Sequence, residues 1–209
     1  MVTPERKAKI LGVLQRRQPD LTVVIEDITD PHNVSAIFRT CDAVGVYAVH
    51  LVYQNQKFPE LNSTTSSSAL KWMKIFRHNT IQECYEILRS EGYKIGATSL
   101  GKGAQDLYTI DLSEKTAIVV GNEHSGVSSL AAAEADYFFK IPMMGMVQSL
   151  NVSVAAAVIL YEALRQRSLI GDYNISKISP EEIEICYAEW LNNTPFIGDI
   201  LKNKKGNSK

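Results

Sequence analysis

The chain has 209 residues, 45% of them hydrophobic, a formal net charge of −1 and three cysteines. That apolar content excludes a disordered chain and suffices for one substantial core. No apolar run approaches the roughly 20 residues that span a bilayer. No signal-peptide segment opens the sequence, and Cys41, Cys84 and Cys186 form neither a disulfide framework nor a CxxC metal motif. A reducing cytoplasm is therefore expected. The near-neutral total hides an uneven distribution. Arg6, Lys7, Lys9, Arg16 and Arg17 face one acid, Glu5, and Lys202, Lys204, Lys205 and Lys209 follow Asp199. Basic ends on a neutral body fit contact with a phosphate backbone, and terminal lysines also serve solubility.

A helix is expected over 4–17, with Pro4 in its first turn and Ile10, Leu11 and Leu14 inward. The β-branched run 21–26 predicts a strand, and Asp30-Pro31-His32-Asn33 a turn. A helix over 33–43 follows, with Asn33 as N-cap and Gly45 ending it. Strands are expected over 46–52, 74–76, 93–98, 116–120 and 137–141, and helices over 80–92 and 128–134. The polar stretch 54–68, with its serine run at 63–68, reads as a long loop. A helix should run from Ser149 and Asn151 to about Arg167, its apolar face given by Leu150, Val154, Ala157, Val158, Tyr161 and Leu164. Ser179-Pro180-Glu181-Glu182 is a capping box for a last helix. Alternating strands and helices predict an α/β fold, a mainly parallel sheet with helices on both faces. The expected division is a basic helical extension (1–20), a sheet domain (21–167) and a helical extension with a basic tail (168–209).

In such a sheet, ligands bind beyond the carboxyl ends of the strands. Four polar or glycine-rich stretches fall there: 33–39, 97–100, 121–126 and 141–151. Gly121-Asn122-Glu123-His124-Ser125-Gly126 is neither a Walker loop nor GxGxxG. Its glycines allow close approach to a ligand or a tight strand-to-helix turn. Ser149 and Asn151 either cap a core helix or contact a ligand at its open N–H groups. Arg39 lies two turns into a helix, where a solvated charge is the ordinary alternative to a functional one. His32, His50, His78 and His124 show no metal-ligand spacing, so no metal is expected. No G-x-S-x-G elbow supports serine hydrolase chemistry.

Together these stretches resemble the signature motifs of the SpoU group of SPOUT RNA 2′-O-methyltransferases. The first is Asn33-Val34-Ser35-Ala36-Ile37-Phe38-Arg39. The second is Gly121–Gly126, and the third runs from Ile141-Pro142-Met143 through Gln148-Ser149-Leu150-Asn151 to Ala155. Arg16-Arg17-Gln18-Pro19-Asp20, Pro31-His32-Asn33 and Leu160–Arg167 also resemble the tRNA guanosine-18 branch. The resemblance implies a deep C-terminal trefoil knot, a homodimer, and S-adenosyl-L-methionine as methyl donor. Thr98, Leu100, Gly121, Ile141 and Leu150 would cradle the donor. Arg39 would be catalytic, with Asn33, Glu123, Ser149 and Asn151 around the target ribose. RNA would be gripped by Arg6, Lys7, Lys9, Arg16, Arg17, Arg165 and Arg167. The implied reaction is methyl transfer to a tRNA ribose 2′-hydroxyl. Methylation of the wobble nucleotide or of ribosomal RNA, and a non-catalytic RNA-binding module, are the alternatives. The serine run lacks a glycine that many relatives carry, which leaves its RNA contact open.

Overall fold

A computed structural model describes residues 3–59, 70–101 and 103–192. The serine run 63–68 and the tail lysines lie outside them. The chain forms α1 (Pro4–Leu14), β1 (Gln18–Glu26), α2 (Pro31–Ala43), β2 (Val46–Val52), β3 (Lys74–His78), α3 (Ile81–Ser90) and β4 (Lys94–Thr98). It continues through β5 (Gln105–Asp106), β6 (Thr116–Val120), α4 (Ser129–Glu134), β7 (Tyr137–Lys140), α5 (Val152–Leu169) and α6 (Pro180–Leu191). Among the described residues the strands make one seven-stranded sheet, ordered β3-β2-β1-β6-β4-β7-β5, with every pairing parallel. The expected α/β architecture is present. Strand β5 and the 3-10 turns Leu107–Thr109 and Asp172–Asn174 have too few residues to show a period in the sequence.

Alternation along the central strands divides the core. Leu21, Val23 and Ile25 of β1 pack with Ile37 and Phe38 of α2 and with Ile159 and Leu160 of α5. Val24 packs on the opposite face with Ile81 and Leu88 of α3 and Ala131 of α4. Each such buried aliphatic side chain contributes about 1.5–3 kcal/mol. The chain runs outward from β1 to β3, then crosses to β4 on the other side of β1, and β6 later fills the place between β1 and β4. That reversal puts a topological switch point between β1 and β6.

The first and last described helices meet. Ile10 and Leu14 of α1 share a cluster with Tyr47, Ile178, and Cys186 and Trp190 of α6. Two expectations change here. Arg17 and Arg167, assigned to the RNA-facing surface, are fully buried. Arg17 donates to Asp42 Oδ1 at 2.5 Å, to the Val46 carbonyl at 3.0 Å and to the Trp72 carbonyl at 2.8 Å, and lies 5.4 Å from the Trp190 ring centre. Arg167 spends its five N–H groups on Leu112 O, Gln18 Oε1, Asp20 Oδ1, Asp20 O and Glu114 O. These guanidinium groups pin both helical extensions to the sheet, and the one N–H of the two that lacks a partner, Arg17 Nε, is buried out of reach of phosphate. The capping box is also only half made. The Ser179 hydroxyl accepts the Glu182 N–H at 3.2 Å, but the Glu182 carboxylate is drawn to Tyr47 and Lys74.

The α5 face is rotated from the expected one. Ala156, Ile159, Leu160 and Ala163 are buried, whereas Val154 and Tyr161 are about half exposed. The helix is apolar on both sides, so periodicity alone cannot choose which side turns inward.

Histidines scattered in the sequence are gathered by the fold. His50 on β2 and His78 on β3 stand beside Cys84 on α3, with ligand-capable atoms within 4.8 Å of one another. One nitrogen of each ring engages the other, His50 Nδ1 lying 2.8 Å from His78 Nε2, while His78 Nδ1 is buried without a partner among the described residues. Such a bond needs a donor and an acceptor, so at least one ring is neutral. Burial first, and the neighbouring His78 second, push His50 down to about 3, and burial also lowers His78. Unfolding restores pKa values near 6.5, so the open chain binds more protons in acid. The pair's stabilisation is complete above pH ~6.5 and is lost as pH falls from there toward 3.

Urea unfolding from about pH 7 to pH 5 is expected to show stability falling by up to about 1.4 kcal/mol per pH unit for each histidine. The double variant His50→Gln, His78→Gln should lose that part of the slope. Arg17→Ala or Arg167→Ala should each cost about 2–4 kcal/mol, because each removes a fully buried side chain and leaves the carbonyl oxygens it bonds without a donor, while the carboxylate partners are partly exposed. Thermal and urea melts measure this, and loss of RNA affinity without loss of stability would contradict it.

Candidate active site

The segments after β4, β6 and β7 surround a cavity of about 550 Å³ beyond the carboxyl ends of those strands. Its lining includes Thr98 and Leu100 after β4, Gly121 and Glu123 after β6, Ile141 after β7, and Ser149, Leu150 and Asn151 at the start of α5. All five residues assigned to donor binding thus rim one cavity, along with three of those assigned to the ribose. The volume lies within the ~300–1,000 Å³ usual for small-molecule sites.

Gly121 shapes the wall. A Cβ there would lie 2.3 Å from the Gly126 carbonyl and the Val127 nitrogen, so main chain meets main chain. The stretch folds back through the Gly126 N–H donating to Asn122 O at 2.9 Å, with Gly126 at φ +71°. Asn122 Oδ1 accepts the His124 and Ser125 N–H groups, and Asn122 Nδ2 donates to the Asp27 carbonyl at 2.8 Å. The two readings of these glycines, tight turn and close approach, describe the same geometry.

A polar chain crosses the switch point. Glu123 Oε1 accepts from Asn33 Nδ2 at 3.0 Å and from the Asp30 N–H at 3.2 Å, and Oε2 accepts the Thr29 N–H at 3.4 Å. Asn33 Oδ1 in turn accepts from Asn151 Nδ2 at 3.0 Å. Asn151 Oδ1 caps α5 by accepting the Ser153 N–H at 2.9 Å. An ionised carboxylate only accepts, so Asn33 must turn its NH₂ to Glu123 and its oxygen to Asn151. The amide orientations therefore follow from Glu123. Burial raises the Glu123 pKa, but the bonds from Asn33 and the backbone outweigh it and hold the group below the usual carboxylate range. Glu123 is thus a fixed acceptor, already engaged, and not a free base.

Asn33 is not the α2 cap. Asp30 is, accepting the His32 N–H at 2.8 Å with Pro31 next in the chain. That leaves the Asn33 side chain, buried in the first turn, to reach Glu123. Asn151 fills both roles left open for it, cap and site. Ser149 is exposed on the cavity rim. Arg39 stands apart. It is exposed, does not line the cavity, and forms no hydrogen bond or ion pair with a described residue. Six residues after Asn33, it points about 120° away from it around the helix. Arg6, Lys7, Lys9 and Arg16 are exposed, as is Arg165, which bonds Glu162 at 2.7 and 2.8 Å. Sequence reasoning missed Asp27, Thr29 and Asp30, whose contribution is mainly backbone. The available signal was an Asp-rich turn directly after a buried strand.

The SpoU rRNA Methylase family model matches residues 20–161. The chain belongs to this family. A tRNA (guanosine(18)-2′-O)-methyltransferase of Thermus thermophilus is 47% identical over 189 residues, 90% of this chain and 97% of that protein. The crystal structure of the Aquifex aeolicus TrmH/SpoU tRNA modifying enzyme superposes with a TM-score of 0.84 at 38% identity, covering 90% of this chain and 95% of that one. The SpoU methyltransferase AviRb from Streptomyces viridochromogenes, in complex with the cofactor AdoMet, superposes at 0.65 with 29% identity, over 75% of this chain and 64% of that one. The match to the SpoU model covers the loops after the three neighbouring strands that close on the cavity. No described helix is long and apolar enough to cross a membrane.

Gly121→Ala is expected to destabilise the fold by about 1–3 kcal/mol through overpacking against Gly126 and Val127. Calorimetric titration with S-adenosylmethionine should show affinity at least about tenfold weaker, since the wall itself must move.

Proposed function

We propose that this SpoU protein transfers a methyl group from S-adenosyl-L-methionine to the ribose 2′-hydroxyl of tRNA, at guanosine 18, in the cytoplasm. The observation carrying the reading is the Glu123–Asn33–Asn151 chain beside a cavity walled by backbone at Gly121. Thr98, Leu100, Gly121, Ile141 and Leu150 would hold the donor, where a side chain at 121 has no room. When bound, the donor supplies an electrophilic methyl on a cationic sulfur that leaves neutral, so the transfer needs no metal. The chain's own residues then align the nucleophile and manage charge. Ser149 and Asn151 stand on the cavity rim, where a ribose would meet the donor. Glu123 fixes Asn33 and Asn151 rather than taking a proton.

Arg39 is the group for the substrate phosphate. With a pKa above ~12, it grips anions and stabilises developing negative charge on oxygen, and the proton leaves to phosphate or water. Arg39 does not line its own chain's cavity, which favours a homodimer in which a second copy brings it to the site. Exposed Met144, Met146 and Val147 near that cavity, with Val154 and Tyr161 on α5, supply an apolar surface for such pairing. The order β6-β4-β7, with the β6–β7 link passing over β4, accords with a trefoil knot in 98–151. RNA backbone contacts fall to Arg6, Lys7, Lys9, Arg16 and Arg165 in this reading, with the helical extensions flanking the sheet domain.

Incubation with unmodified total tRNA and labelled donor, followed by mapping, should place the methyl on guanosine 18. A methyl at the wobble nucleotide or in ribosomal RNA would make this a sister enzyme, and donor binding without transfer a non-catalytic module. Arg39→Ala should lower kcat about 10²-fold or more, with donor affinity unchanged within about twofold.

A further inference from the structure

One residue outside the signature motifs holds both halves of the site. Asp27 follows β1 and is the one described non-glycine residue with positive φ, at +49°. An L side chain rests there at a cost that Asp and Asn bear more readily than most. The conformation is held from several sides. The Asp27 N–H donates to the Val52 carbonyl at 3.0 Å, and the Asp27 carbonyl accepts from Asn122 Nδ2. Its carboxylate accepts the N–H groups of Gln54, Asn55 and Gln56 at 3.1–3.3 Å, and Asn55 Nδ2 at 3.0 Å. Tyr53 adds a bond from its hydroxyl to the Ile28 carbonyl at 2.7 Å. The bend at Asp27 also turns the next N–H groups, those of Thr29 and Asp30, onto Glu123. The backbone of Asp27 therefore serves the Glu123–Asn33–Asn151 chain, while its carboxylate serves 54–56.

The second connection reaches a separate place. Asn55 and Gln56 line a smaller cavity of about 150 Å³ together with Glu26, Asp27, Asn122, Ser125, Gly126 and Ser128. Asn122, Ser125 and Gly126 also line the larger cavity, so one wall divides the two. A polar rim of exposed amides at 54–56, beside a site that takes a nucleotide, offers donors and acceptors to RNA.

We propose that Asp27 is a positioning residue for the methyl transfer. Its left-handed backbone sets Glu123 against Asn33, and its carboxylate holds 54–56 as a substrate-contacting rim. The inference rests on the tRNA methyltransferase reading for its kinetic consequence and on this structure alone for its structural one.

The two functions of Asp27 separate by substitution. Asp27→Gly keeps the left-handed backbone without strain and deletes the carboxylate, whereas Asp27→Ala deletes the carboxylate and disfavours the backbone. The Gly variant is expected to raise KM for tRNA by about tenfold, with a smaller fall in kcat. The Ala variant should add a fall in kcat of about tenfold beyond the Gly variant. Asp27→Asn, which tolerates the backbone and keeps one acceptor oxygen, should recover part of the lost KM. Amide hydrogen exchange should quicken by about tenfold or more at 54–56 in the Gly variant while 121–126 stays near wild type. A Gly variant with wild-type KM and wild-type exchange at 54–56 overturns the proposal. So do Gly and Ala variants with equal kcat, or variants that lose only thermal stability. If the Ala variant does not fold, the Gly and Asn variants and the exchange measurement decide. Wild-type enzyme that methylates no tRNA would overturn the functional reading instead, and the exchange result, which needs no RNA, would still decide the role of the Asp27 carboxylate.

Discussion

The site depends on a carboxylate that is not free. Glu123 collects N–H groups from Thr29, Asp30 and Asn33, and so joins the loop after β6 to the turn after β1. These strands meet at the point where the sheet reverses its direction of growth, and a crevice opens there without further design. Because the acceptor is charged and partly buried, each donor around it is held in one orientation. Asn33 is fixed by Glu123, and Asn151 by Asn33. The start of α5 is therefore tied to the start of α2 through side chains 118 residues apart in sequence.

Around that chain the cavity wall includes main chain at Gly121. Main-chain groups cannot be altered by substitution as side chains can, but they are sensitive to bulk. Gly121 shows this most sharply, since a single methyl group there collides with the returning strand of the turn. The catalytic arginine candidate is arranged in the opposite way. Arg39 is exposed, without a partner among the described residues, on a helix whose inner face is firmly packed. A cavity with a main-chain wall and an exposed cation would suit the proposed reaction, in which one reactant is small and the other is a large polyanion.

Much of the fold was legible in the sequence because the central strands are largely apolar, β-branched runs. The bounds of 46–52 and 116–120 are those expected, and the family motifs fall at strand ends where a parallel sheet binds ligands. What escaped depended on distance or on symmetry. Arg17 and Arg167 read as surface charge because their carboxylate partners, Asp42 and Asp20, are 25 and 147 residues away. The inward face of α5 was ambiguous because both sides are apolar. Asn33 was mistaken for a cap because Asp30, three residues earlier, can do the same work. Asp27 was marked only by the Asp-rich turn after β1, since a left-handed backbone at an aspartate leaves no periodic trace.

The packing of α1 against α6 has a consequence for synthesis. Helix α1 has little apolar surface of its own to bury, and the surface that covers it includes Cys186 and Trp190 of the last described helix. A ribosome that has released the whole sheet still holds back that cover. Since domains generally fold as units from the N-terminus during translation, the first segment made is among the last to settle. The basic arm thus takes its fixed place beside the sheet only once α6 has emerged, and in the function proposed above its contact with RNA would wait for that step.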